Sequence, residues 1–146
     1  DNKGIESLIK VIRNFFVIPI IGNGNYRLKP VYIKDVINAI ISVSQSDKTN
    51  GQTYTIAGPD VFTYNELIKL ICDYLGVRRC LVHIPVKAAL FIAYINSFFM
   101  KSSIIYPDQV SRLISPKNED IVKAAEDFGY EPISFKNGLK LILSSR

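Results

Sequence analysis

Between Ile18 and Ile41 the chain reads IPIIGNGNYRLKPVYIKDVINAII. A short apolar run ends in a Gly-Asn-Gly-Asn turn. A basic-aromatic patch, a short strand pattern and a helix pattern opened by an acid follow. This order limits what the chain can become. A dinucleotide-binding βαβ unit needs Gly-x-Gly-x-x-Gly between a strand and a helix. Gly22 and Gly24 supply the first two glycines, but Arg27 stands in the third place, and Pro30 follows where the helix should begin. The turn is therefore not expected to cradle a dinucleotide. No glycine is followed directly by Lys and then Ser or Thr, so a Walker-type phosphate loop is excluded as well.

The rest of the chain is mostly helical in pattern. Ile5–Phe16 has Ile5, Leu8, Ile9, Ile12 and Phe16 at helical spacing. Val17–Ile21 reads as a strand whose Pro19 puts it at an edge or a strand start. Pro30–Ile33 reads as a second strand. Asp35–Gln45 reads as a helix with Val36, Ile40 and Val43 on the buried face. Ser46–Gln52 is a polar loop, and Thr53–Ala57 is rich in strand formers. Thr63 and Glu66 predict a capping box opening a helix that buries Leu67, Ile68, Ile71 and Leu75 and ends at Gly76. Leu81–Ile84 reads as a strand. Pro85 opens an apolar helix over Val86–Met100, and Pro107 opens another to about Ile114. Helices are expected over Asp120–Phe128 and, capped by Ser134, over Phe135–Ser144. The strands are too few for a sheet of about five or six. Thr53–Ala57 has no evident neighbours, as in a chain from which a parallel sheet has been cut away.

With 146 residues and 48% hydrophobic content, one domain with a packed core is expected. The net charge is +5, but the basic residues are scattered. Nucleic-acid binders usually carry a denser basic stripe, so no nucleic acid is expected, and the charge reads as solubility with a bias toward anions. Cys72 and Cys80 are too few for a disulfide scaffold, and they read as buried reduced thiols in a cytoplasmic protein. No run reaches the roughly 20 apolar residues of a membrane span. The opening DNKGIESLIK is not a signal peptide and holds no initiator Met, so the chain is expected to begin inside a longer protein.

Little in the residues points to chemistry. His83 is the only histidine. With no acid cluster or second histidine nearby, it reads as a satisfied, partly buried side chain, and no metal site is expected. Glu119-Asp120 and Glu126-Asp127 suit helix ends. Ligand recognition is what remains. Tyr26, Arg27, Lys29, Tyr32 and Lys34 bring cations and aromatics beside a glycine turn, where backbone can approach a ligand closely. Arginine can hold a diphosphate by paired charge-assisted hydrogen bonds. An ordinary solvated turn with surface charges fits the same residues.

Three segments carry a resemblance. IPIIGNGNYRLKPVYIKDVINAI is similar to the segment that follows the catalytic half of extended and atypical short-chain dehydrogenase/reductases. GQTYTIAGPDVFTYNELIKLICDYLG and EDFGYEPISFKNGLKLIL resemble later segments of the same family, in the same order. The resemblance implies an NAD(P)-dependent epimerase or dehydratase of nucleoside-diphosphate sugars, or an atypical relative. Proteins akin to the nucleotide-binding accessory subunit of respiratory complex I are the nearest in pattern. The resemblance implies an α/β fold: a mostly helical C-terminal lobe with a few short strands, residues 1–146 forming a single substrate-binding lobe. A Rossmann-type half would lie upstream, outside this chain. It implies a nucleotide-sugar ligand or a similar small anion, with Arg27 on the diphosphate and Ile21, Gly22, Asn23 and Gly24 near the base. Tyr32 joins them as a candidate from the aromatic patch. Asp35 is implied to be structural, starting a helix and ordering the preceding strand. NAD or NADP would serve the parent protein, with none bound by this fragment alone. A homodimer is among the assemblies the resemblance suggests.

The departures are equally clear. The family's catalytic pair is Tyr-x-x-x-Lys, and none of the eight tyrosines has lysine four places on. Tyr74 with Arg78 comes nearest and reads as a surface pair. No catalytic residue is expected here, and the fragment should be inactive alone. The alternative is a non-catalytic binding or assembly module of the same fold, akin to the nucleotide-binding accessory subunit of respiratory complex I. Phe91, Tyr94, Phe98 and Phe99 in the apolar helix motivate it.

Overall fold

The computed structural model of the protein describes residues 3–91 and 120–144. They form two compact units. The first comprises 3–27 and 63–91, the second 28–62 and 120–144. Beyond residue 91 the apolar helix expected to Met100, with Tyr94, Phe98 and Phe99, lies outside the described residues, as does the helix expected to open at Pro107.

The first unit begins with helix α1, Lys3–Asn14, and strand β1, Val17–Ile21. A two-residue strand β2, Arg27–Leu28, marks where the chain leaves this unit, and β3, Phe62–Thr63, marks where it returns. Helix α3, Tyr64–Leu75, and strand β4, Cys80–Ile84, follow, then a helix α4 described over 86–91. β1 and β4 pair in parallel, from Val17 opposite Cys80 to Ile21 opposite Ile84. Alternation puts Ile18 and Ile20 on one face, where both are buried. Ile9 and Ile12 of α1 and Leu67, Ile68 and Ile71 of α3 are buried with them, and the two helices pack on one another. The other face carries Val17 and Val82, both largely exposed.

Local chemistry sets the helix ends. The capping box forms as expected: Glu66 N–H donates to Thr63 Oγ1 at 3.2 Å, and Thr63 N–H donates to Glu66 Oε2 at 2.7 Å. Gly76 closes α3 with φ 64°, a left-handed conformation glycine adopts freely. The last carbonyls of α1 are satisfied from outside. Arg79 donates from Nε to the Ile12 oxygen at 2.6 Å and from Nη2 to the Arg13 oxygen at 3.3 Å. α1 therefore stops at Asn14, and Phe16, expected on its buried face, is 70% exposed.

The second unit holds α2, Ile33–Ser44, a 3-10 turn at Asp47–Thr49, α5, Val122–Phe128, and α6, Phe135–Ser144. Its core joins Ala39, Ala124 and Tyr130, with Tyr54, Ile56, Ile121 and Phe128 packed against it. Carboxylates tie the backbone around that core. Asp35 Oδ2 accepts from Ile133 N–H at 3.0 Å, and Asp60 Oδ2 accepts from Phe135 N–H at 2.7 Å. Asp35 thus orders the chain entering α6, 98 residues away, rather than the strand expected before it. Tyr130 donates to the Ala57 carbonyl at 3.0 Å, and Tyr54 donates to Asp127 Oδ2 at 2.7 Å.

Several expectations are corrected. No strand forms over Pro30–Ile33: the short strand is β2, and the helix starts at Ile33. Thr53–Ala57 joins no ladder among the described residues, because strand propensity needs a partner to be realised. In α2 the buried positions are Asp35 and Ala39, while Ile40 is 65% exposed and Val36 and Val43 are half-buried. α2 is apolar on most sides, so its periodicity could not choose a face. Small Ala39, close to Ala124, is what the core takes up. Cys72 is buried, whereas Cys80 is exposed at the start of β4.

Gly58 sits so close to Pro30 that an added methyl would run into the Pro30 carbonyl oxygen. Gly58→Ala should lower stability by about 2 kcal/mol, the scale of overpacking, in a urea titration that detects the second unit. Burial, then the nearby Asp35 charge, pushes the Tyr130 phenol up to about 12. A raised folded value means a contribution fully present below pH 10 and lost as pH rises toward 12. Stability should fall across that window, and Tyr130→Phe should flatten the fall while losing the bond to Ala57.

Candidate ligand site at the glycine turn

β1 ends at Ile21, and the next four residues make the turn that the sequence singles out. Gly22 N–H donates to the Ile84 oxygen at 2.8 Å, extending the parallel ladder by one step. Asn23 Oδ1 accepts from Asn25 N–H at 3.0 Å, an Asx turn. Gly22 and Gly24 both have positive φ, 72° and 67°. At Gly24 a side chain is excluded twice: by φ, and by the Asn65 amide, which an added methyl would strike.

Asn65, in the first turn of α3, holds the turn. Its main-chain N–H donates to the Gly24 oxygen at 3.1 Å. Its Nδ2 donates to the Asn23 oxygen at 2.9 Å and lies 3.3 Å from Asn25 Oδ1. Its Oδ1 lies 3.3 Å from His83 Nε2, at the far end of β4. One amide therefore joins the turn, the start of α3 and the end of the parallel pair. Next to it Tyr64 N–H donates to the Tyr26 oxygen at 3.2 Å, and the two rings stack with centroids 5.2 Å apart. Burial raises the Tyr26 hydroxyl well above its usual value, with Tyr64 adding to it, and burial also raises Tyr64. Neither phenol is suited to give up a proton near neutrality.

Ile21, Gly22, Asn23, Gly24 and Arg27 thus come together in the first unit, Arg27 with an exposed side chain. Tyr32 belongs to the second unit, where it precedes α2 and its ring lies against Gly138 of α6. Arg27 is also close enough to Glu66 to favour that carboxylate. The Glu66 carboxyl is held below its usual value first by the Thr63 N–H, then by the Thr63 hydroxyl, with Lys69 and Arg27 contributing less and desolvation opposing. Gly22, Asn23, His83 and Pro85 line a shallow open depression of about 430 Å³. His83 is exposed there, not partly buried as its apolar neighbours Val82 and Ile84 suggested. Asn65 and His83 were not singled out as ligand residues from the sequence. The only local hint at Asn65 is an asparagine among better helix formers, and its partners lie about 40 positions back.

These residues do not fit a dinucleotide pyrophosphate. The turn leads into β2, not a helix, and the Asn65 amide closes over Gly24 where a phosphate would need bare backbone.

No family model matches the chain. It is 32% identical over 90 residues to an Arabidopsis thaliana protein named NADH dehydrogenase [ubiquinone] 1 alpha subcomplex subunit 9, mitochondrial, covering 61% of this chain and 22% of that one. Among solved structures it is similar to UDP-glucose 4-epimerase from Thermotoga maritima with UDP-glucose, with TM-score 0.68 and 24% identity over 97% of this chain and 38% of that one. It is also similar to UDP-glucuronic acid 4-epimerase from Bacillus cereus in complex with UDP-glucuronic acid and NAD, with TM-score 0.66 and 20% identity over 91% and 36%. The chain has the mixed α/β fold of these epimerases. It spans about a fifth of the plant relative's length and little more than a third of each epimerase.

Gly24→Ala should destabilise the first unit by about 2 kcal/mol or more, since it combines a left-handed backbone with a clash. Asn65→Ala should cost about 0.5–1.5 kcal/mol, the net worth of a hydrogen bond, because water can reach the exposed turn carbonyl. Thermal unfolding of both variants checks this, and equal stability to the parent in either would count against the interlock.

Proposed function

We propose that this chain is the substrate-binding part of a larger protein with an epimerase/dehydratase-like fold. In this reading the Ile21–Gly24 turn and Arg27 receive the nucleotide end of a nucleoside-diphosphate sugar. The observation that carries it is a glycine turn locked in place by Asn65, with an exposed arginine three residues beyond it. A preorganised turn offers backbone at close range without an ordering cost on binding. Arg27 can pair two phosphate oxygens through its planar fork. The likeness in fold to epimerases that hold UDP-sugars supports the ligand class. NAD or NADP, if used, would be held by other parts of the parent protein, and so would the proton-transferring groups.

The unpaired features support a larger assembly. The strand-forming Thr53–Ala57 segment joins no ladder among the described residues, and α2 exposes Ile33, Ile37, Ile40 and Ile41, each about half or more accessible. Four isoleucines on a single helix are costly to leave in water, at roughly 25 cal/mol per Å² of apolar surface. A companion half completing the sheet would cover them.

The likeness to a plant protein named as a subunit of a larger complex supports a second reading, a binding or assembly module. Both readings meet at one experiment. Calorimetry of UDP-glucose with the full-length protein should show binding, weakened about tenfold or more by Arg27→Ala, as expected for loss of a charged hydrogen-bonded pair. Absence of binding would leave the module reading. A turnover assay with NAD present then separates an enzyme from a silent binder.

A further inference from the structure

We infer that His83 is a second ligand contact at this turn, reading a phosphate group, and that Asn65 is its positioning residue. The inference rests on the ligand reading above and adds a residue on a different strand.

The direction of the hydrogen bonds decides what His83 can offer. The Asn23 main-chain oxygen can only accept, so the Asn65 amide must turn its NH2 group toward it. Asn65 Oδ1 is then the atom that faces His83 Nε2 at 3.3 Å. An amide oxygen also only accepts, so His83 donates from Nε2. In the neutral ring that leaves Nδ1 as a bare acceptor. Protonation keeps the bond to Asn65 and turns Nδ1 into a donor. A phosphate oxygen is itself an acceptor and carries charge, so it pairs with the protonated ring and not with the neutral one.

The surroundings suit such a contact. His83 is exposed and lines the depression of about 430 Å³ with Gly22, Asn23 and Pro85. The backbone there is close-packed from below: a methyl on Gly22 would meet Val86 Cγ2 at 3.3 Å. β1 supplies no ionisable side chain to compete. The charged side chains on the neighbouring elements are Glu66, Lys69 and Asp73 on α3, Arg27 on β2 and Lys87 on the described part of α4. Tyr26 and Tyr64 stay neutral because burial raises both. Three cations against two carboxylates leave these elements net positive by one. Glu66 is partly engaged by Thr63.

The test uses the full-length protein and UDP-glucose, whose diphosphate diester does not titrate between pH 6 and 8. Affinity should be roughly three- to tenfold higher at pH 6 than at pH 8, the scale of one charged contact at an exposed site. His83→Gln, which keeps a donor toward Asn65 Oδ1, should remove that ratio. Asn65→Ala should shrink the ratio by freeing the ring, and Arg27→Ala should weaken binding at both pH values while keeping it. Binding that needs Arg27 but is equal at both pH values, or keeps its pH ratio in His83→Gln, overturns this inference alone. No binding at either pH overturns the ligand reading and this inference with it.

Discussion

The side-chain amide of Asn65 is the constraint on which the first unit's functional end depends. Three segments distant in sequence converge on it: the turn after β1, the first turn of α3 and the end of β4. An amide suits this task because it donates and accepts from adjacent atoms in one plane. Gly24 is the complement of that amide, since any larger residue would displace it. The glycine pair, which the sequence already excludes as a cofactor loop, has a different use here. It lets a helix side chain seat directly on a turn.

The second unit is organised by the same device with carboxylates. Asp35 and Asp60 accept from main-chain N–H groups of residues 133 and 135, so the chain entering α6 is set by acids from two earlier segments. A buried main-chain donor left unpaired would cost about 1–3 kcal/mol, which explains why the acids sit at these positions. The apolar isoleucines of α2, Ile33, Ile37, Ile40 and Ile41, are about half or more exposed instead.

Legibility differed by the range of the cause. The capping box and the glycine ends of α3 and α5 depend on residues within four places, and the structure has them, and the span of α6, where the sequence put them. The strand expected over Thr53–Ala57 does not form among the described residues, because its propensity finds no partner there. For α2, isoleucines on several sides left the buried face to be settled by which neighbour offered a small residue. His83 was misjudged because flanking apolar residues describe the strand, not how many layers cover it.

The mixed α/β fold class came from what the resemblance of three segments to a known family implies, and the structure has it. The exclusion of a dinucleotide loop was local, because it needs only one missing glycine and one proline. What only the tertiary structure decided is who meets whom across 18 to 98 residues: His83 and the turn carbonyl on one asparagine, Tyr130 on Ala57, Asp35 on Ile133. Short-range pattern records backbone preference, whereas long-range polar pairing is set by the packing of whole elements, and no periodicity in a chain encodes it.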